Sequence, residues 1–104
     1  MHDADAYVWI DPGRLSGQPC VGGHGLSCEQ MADCYWAGWS IAEMLSNWDL
    51  SRPQLLVAWW YQAKYGGRVW KKRWGAWAEA SFGALWKGDY DAVENPPQQE
   101  RRDG

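Results

Sequence analysis

Arg52 and Gln54 stand at the start of an expected helix, and both side chains have hydrogen-bonding patterns suited to base edges. Arginine can bond bidentately to guanine, and glutamine to adenine. Tyr61, Gln62 and Lys64 follow on later turns of the same helix. Arg68, Lys71, Lys72 and Arg73 come next, and cations placed this way contact phosphates, positioning a protein without reading sequence. Against a groove-reading helix stands Leu55-Leu56-Val57-Ala58-Trp59-Trp60, unusually apolar for a helix lying on DNA. Gln54 also fits a capping position. Whether this helix faces DNA or a core stays open at the level of sequence.

Trp70, Trp74 and Trp77 fall at i, i+4 and i+7 and share one face of a fourth helix, with Lys71, Lys72 and Arg73 around the other side. Tryptophan is enriched at interface hot spots, so the stripe could dock a partner protein. The same spacing also suits core packing, since aromatic stripes usually face inward. No catalytic constellation is visible: acid–base chemistry would have to come from His2, His24 or scattered carboxylates, with no nucleophile beside a base. Gly22-Gly23-His24-Gly25 lacks the Lys and Ser/Thr of a phosphate-binding loop. His24, Cys28 and Cys34 cannot close a four-ligand zinc site without borrowed groups, so neither metal nor cofactor is expected. An enzyme is not expected.

The charge is arranged in blocks. Residues 1–50 carry seven acids against Arg14, for −6; residues 51–88 carry seven bases against Glu79, for +6; residues 89–104 return to −3. A basic block of this kind is a candidate polyanion face. The length of 104 residues suits one domain, yet 10 Trp, 5 Tyr and 1 Phe are more aromatic surface than one small core hides. Some of it should lie on a groove or interface. Neither a secretory signal nor a membrane-spanning run is expected, and Cys20, Cys28 and Cys34 form no C-x-x-C pair, which suits free thiols in a reducing cytoplasm.

These residues must be held by elements the local pattern predicts. Ala6–Ile10 reads as a strand ended by Asp11-Pro12-Gly13, and residues 11–25 as a loop. Three S-x-x-E/Q capping boxes follow in about thirty residues: Ser27 with Gln30, Ser40 with Glu43, and Ser51 with Gln54. They predict helices over Cys28–Ala37, Ile41 to Asn47 or Trp48, and from Arg52-Pro53 to Tyr65. A fourth helix is expected from Val69 to about Trp86, weakened by Gly75 and Gly83. Residues 89–104 read as a disordered acidic tail.

Three motifs occur in order and in register: Trp9-Ile10-Asp11-Pro12, Gly17-Gln18-Pro19-Cys20-Val21-Gly22-Gly23, and Gly38-Trp39-Ser40-Ile41-Ala42-Glu43-Met44. Through them residues 6–66 resemble the small prokaryotic proteins of domain-of-unknown-function family 433. Two departures stand out. The family's Thr-Arg is His24-Gly25 here, and its Tyr-Pro-x-Leu-Thr is replaced by Asn47-Trp48-Asp49-Leu50-Ser51. The resemblance implies a homeodomain-like helix-turn-helix bundle with a short N-terminal β element, sometimes formed across a dimer. Some relatives look like VapB-like antitoxins that accompany a PIN-type nuclease toxin.

The expectation is therefore a mainly α single domain over residues 1–88, with a family-like part at 6–66 and a basic, Trp-rich helical extension at 67–88. Its expected role is a cytoplasmic, homodimeric DNA-binding regulator, an antitoxin or autorepressor. Double-stranded DNA would be one partner and a PIN-type toxin or other protein another. Trp70, Trp74 and Trp77 are the candidate partner face, and an interaction module without DNA binding is the alternative.

Overall fold

A computed structural model describes residues 8–10, 19–21 and 27–99, and the chain is mainly helical. Four helices follow one another: α1 (Cys28–Trp36), α2 (Ile41–Trp48), α3 (Arg52–Tyr65) and α4 (Arg68–Lys87). The 3₁₀ turn Tyr90–Ala92 leads into an extended stretch through Gln99. Ahead of the helices, β1 (Val8–Ile10) and β2 (Pro19–Val21) pair antiparallel, with Trp9 opposite Cys20. Residues 22–25, with His24, and residues 100–104 lie outside the described residues.

Each of the three serines caps its helix. At Ser27 and Ser51 both halves of the box form: the hydroxyl accepts from the backbone N–H of Gln30 or Gln54, while that glutamine accepts from the serine's own N–H. At Ser40 the hydroxyl accepts from Glu43 N–H, but it then donates to the Glu43 carboxylate, so only half the box closes. Gly38 (φ 111°) lets the chain leave α1, and Asp49 takes the left-handed conformation (φ 52°) that ends α2. Aspartate tolerates that region better than most side chains.

α3 is the central element. Leu55, Leu56, Val57, Ala58 and Trp59 are all buried, and Gln54, Trp60, Gln62 and Ala63 join them. A helix that is apolar on all sides has no solvent face to orient it, so its favourable place is the middle of the bundle. α1 contributes Met31 and Tyr35, α2 Met44, and α4 Trp70, Trp74, Ala78 and Leu85 to the same core. Tyr35 and Trp59 lie 4.3 Å apart, and Trp74 sits about 6 Å from both. Buried indole N–H groups need acceptors. Trp59 Nε1 donates to Met31 O at 3.2 Å, and Trp60 Nε1 to Ala78 O at 3.1 Å, tying α3 to α1 and α4.

The expectation of disorder over 89–104 is corrected for residues 89–99, which form a strap across α1, α3 and α4. Tyr35 Oη donates to Pro96 O, Trp74 Nε1 to Pro97 O, and Trp77 Nε1 to Glu94 O. The amide of Gln98 donates to the carbonyls of Tyr35 and Trp39, and Gln99 N–H to Trp36 O. An extended, proline-rich segment makes no internal hydrogen bonds, so its carbonyls can serve such donors. Composition alone suggested a solvated tail; the surplus of aromatic N–H and O–H donors is what holds it down.

Candidate nucleic-acid interface

Arg52 and Gln54 begin α3, but neither faces outward to read bases. The Arg52 guanidinium donates to Tyr90 O and Val93 O at 2.7 Å each and to Asn95 Oδ1 at 3.1 Å, clamping the strap. Gln54 is buried and closes the cap on Ser51. Gln62 is buried too, and Tyr61 is half-buried. The idea that α3 presents base-reading side chains is therefore corrected: the helix is enclosed by α1 and α4, and its apolar run decides the matter. Only Lys64 among its proposed DNA contacts stands exposed.

The cations beyond α3 divide. Arg68, Lys71 and Lys72 are exposed on the first turns of α4. Arg73 is half-buried, with its guanidinium 4.5 Å from the Trp36 ring centroid and 4.8 Å from that of Trp70. This cation–π pairing joins α4 to α1 and commits the charge to structure. Lys64, Arg68, Lys71 and Lys72 remain, grouped where α3 turns into α4 through Gly66-Gly67. The turn needs glycine twice. A side chain at 66 would run into the carbonyl and amide of Gln62, and Gly67 takes φ 108°. Gly67 caps α4 without any side-chain hydrogen bond, and no acid occupies the first turn.

The tryptophan stripe is likewise divided. Trp70 and Trp74 are buried, so the expected partner face is corrected for these two; Trp77 is half-buried and donates to the strap. Besides Trp39 in the α1–α2 connection, the exposed rings are Tyr65 at 66%, Phe82 at 46% and Trp86 at 58% exposure. They belong to one connected row. Tyr65 lies 6.4 Å from Trp60, Trp60 lies 5.7 Å from Phe82, and Phe82 stacks with Trp86 at 6.1 Å. An open cavity of about 360 Å³ lies between the two helices, lined by Trp60, Lys64, Tyr65, Ala78, Glu79 and Phe82. The sequence held a signal for this face: Arg68, Lys72, Gly75, Glu79, Phe82 and Trp86 alternate in steps of four and three, which keeps them on one side of a helix.

Burial, then the neighbouring Asp33, pushes the Cys34 thiol up and so disfavours its thiolate. Burial also pushes the Tyr35 phenol up. No group of three or more His, Cys, Asp and Glu among the described residues could hold a metal ion. None of the described helices is long and apolar enough to cross a membrane.

Among known families, the one described as protein of unknown function (DUF433) matches residues 8–61, about half of the chain. The chain belongs to the DUF433 family. The match runs from β1 into the last turns of α3. Arg68, Lys71 and Lys72, the exposed Tyr65, Phe82 and Trp86, and the strap all lie beyond the DUF433 stretch. No curated protein and no solved structure matches the chain.

Proposed function

We propose that this protein is a small DNA-binding regulator that holds its nucleic acid by the phosphate backbone at the α3–α4 corner. The observation that carries the proposal is the joint exposure of Lys64, Arg68, Lys71 and Lys72 around the uncapped start of α4. The positive end of the helix dipole disfavours cations there, typically by 0.3–1 kcal/mol each. A phosphate reverses that sign, since it is attracted by the helix N–H groups and by the cations together. The chain tolerates an arrangement that is unfavourable alone and favourable with an anion bound.

Such a corner positions nucleic acid and reads little sequence. A homeodomain-like arrangement with the β1–β2 pair as its N-terminal element belongs to this proposal, with α3 as a scaffold instead of a groove-reading helix. So do cytoplasmic location, homodimerisation, and work as an antitoxin or autorepressor beside a protein partner such as a PIN-type toxin. The test is a pair of variants measured on duplexes of unrelated sequence. Changing Arg68, Lys71 and Lys72 together to Ala should weaken every duplex alike by tenfold or more, whereas Arg52→Ala should leave affinity within about twofold. Retained affinity in the triple variant would overturn the proposal.

A second reading, an interaction module without DNA binding, draws support from the exposed Tyr65, Phe82 and Trp86. It expects a stable complex that forms without nucleic acid and is lost on Trp86→Ala. Trp74→Ala cannot serve that purpose, because Trp74 is a core residue.

A further inference from the structure

Resting on the nucleic-acid reading above, we infer that the outer face of α4 takes a single strand, with bases stacked on Tyr65, Phe82 and Trp86. At about 100° per residue, Arg68, Lys71, Lys72, Gly75, Glu79, Phe82 and Trp86 fall within one sector roughly 100° wide. From Arg68 to Trp86 this face runs about 27 Å at ~1.5 Å per residue. Cations stand at one end and rings at the other. Lys64 and Tyr65, from the end of α3, flank the groove between them.

Sites that bind single strands combine a cationic track for the backbone with aromatic side chains for successive bases. Both parts are present here and adjoin. A duplex keeps its bases inside the stack and could use only the cations. The rings would then remain solvent-exposed with no role, although exposed apolar patches of this kind normally mark a binding surface. The groove adds polar groups suited to a base edge: Glu79 can accept from an exocyclic amino group, and Lys64 can donate to a ring carbonyl. Charge complementarity selects nucleic acid over an apolar protein segment, because four of the cations in the +6 block border the same face.

The experiment uses the full chain with a 12-nucleotide single strand of mixed sequence and the blunt duplex containing that strand. The single strand should bind about tenfold or more tightly than the duplex and quench tryptophan fluorescence. Trp86→Ala and Phe82→Ala should each weaken the single strand by about fivefold or more, the lower end of the stacking contribution per base, with duplex affinity unchanged. Trp86→Phe should keep most of the affinity, since a stacking surface remains. Both side chains are solvent-exposed, and far-UV circular dichroism checks that each variant stays helical. If strand and duplex bind alike and the ring variants have no effect, the stacking site is overturned while the phosphate corner stands. If neither binds, both are overturned. Self-association that depends on Trp86, without oligonucleotide binding, would instead make this face a contact between two copies and overturn the stacking site.

Discussion

Arg52→Ala separates a base-reading arginine from a structural clamp. The guanidinium makes three hydrogen bonds, two at 2.7 Å to the carbonyls of Tyr90 and Val93 and one at 3.1 Å to Asn95. A net contribution near 1 kcal/mol per bond, somewhat more for a charged donor, gives a cost of about 2–4 kcal/mol. Val93 is buried, so the acceptors left behind have limited access to water. For a domain of this size that corresponds to a fall in melting temperature of roughly 10–20 °C. Thermal unfolding followed by circular dichroism measures it. Hydrogen exchange supplies the local readout, because the Gln99 amide, bonded to Trp36 O, should lose protection when the strap loosens. DNA affinity, compared well below the melting temperature, should stay within about twofold. A variant that keeps its stability and its Gln99 protection but loses DNA discrimination would refute the clamp and restore Arg52 as a reader.

Trp74→Ala should cost about 3–5 kcal/mol, because the indole is fully buried and its N–H serves the strap; denaturant unfolding showing less than 1 kcal/mol would contradict that packing. Gly83→Ala should stabilise by up to ~1 kcal/mol, since a Cβ there meets nothing within 4 Å inside a long helix, and a lowered unfolding midpoint would count against it. Burial raises the folded-state values of the Cys34 thiol and the Tyr35 phenol, so the neutral forms favour the fold. Their stabilisation is complete at lower pH and is lost as pH rises through the folded values, beginning above about pH 9–10. Tyr35→Phe should show a smaller alkaline loss than the parent chain, and an identical alkaline profile would show that Tyr35 is not responsible.

The helices were legible because their signals are local. Ser27, Ser40 and Ser51 announce their own helix starts, and Gly38 and Gly66 end the helices before them through backbone geometry that needs no tertiary context. The role of α3 was not legible in the same way. Leu55 to Trp60 showed that the helix is apolar, but helix order and an Arg–Gln start suggested a groove-reading element. Only the positions of α1 and α4 show that it is enclosed. Arg52 illustrates the point: a guanidinium suits a guanine edge and a cluster of carbonyls equally well, and the difference lies 38 to 43 residues away. The strap was invisible because it has no periodicity, and single side-chain donors hold it. At the candidate site, Arg68, Lys71 and Lys72 could be named from the charge block. Phe82 and Trp86 required the helical phase of α4, which the two interior glycines obscured.

The phosphate corner is tested most directly by the salt dependence of duplex binding. With four exposed cations engaged, the logarithm of the association constant should fall against the logarithm of salt concentration with a slope of about −3.6, since each phosphate contact contributes ~0.9. Affinity should therefore drop by roughly a hundredfold between 50 and 200 mM salt, and removing Arg68, Lys71 and Lys72 together should bring the slope to about −1. A flat salt profile, or a slope unchanged in the triple variant, would contradict nucleic-acid binding at this corner.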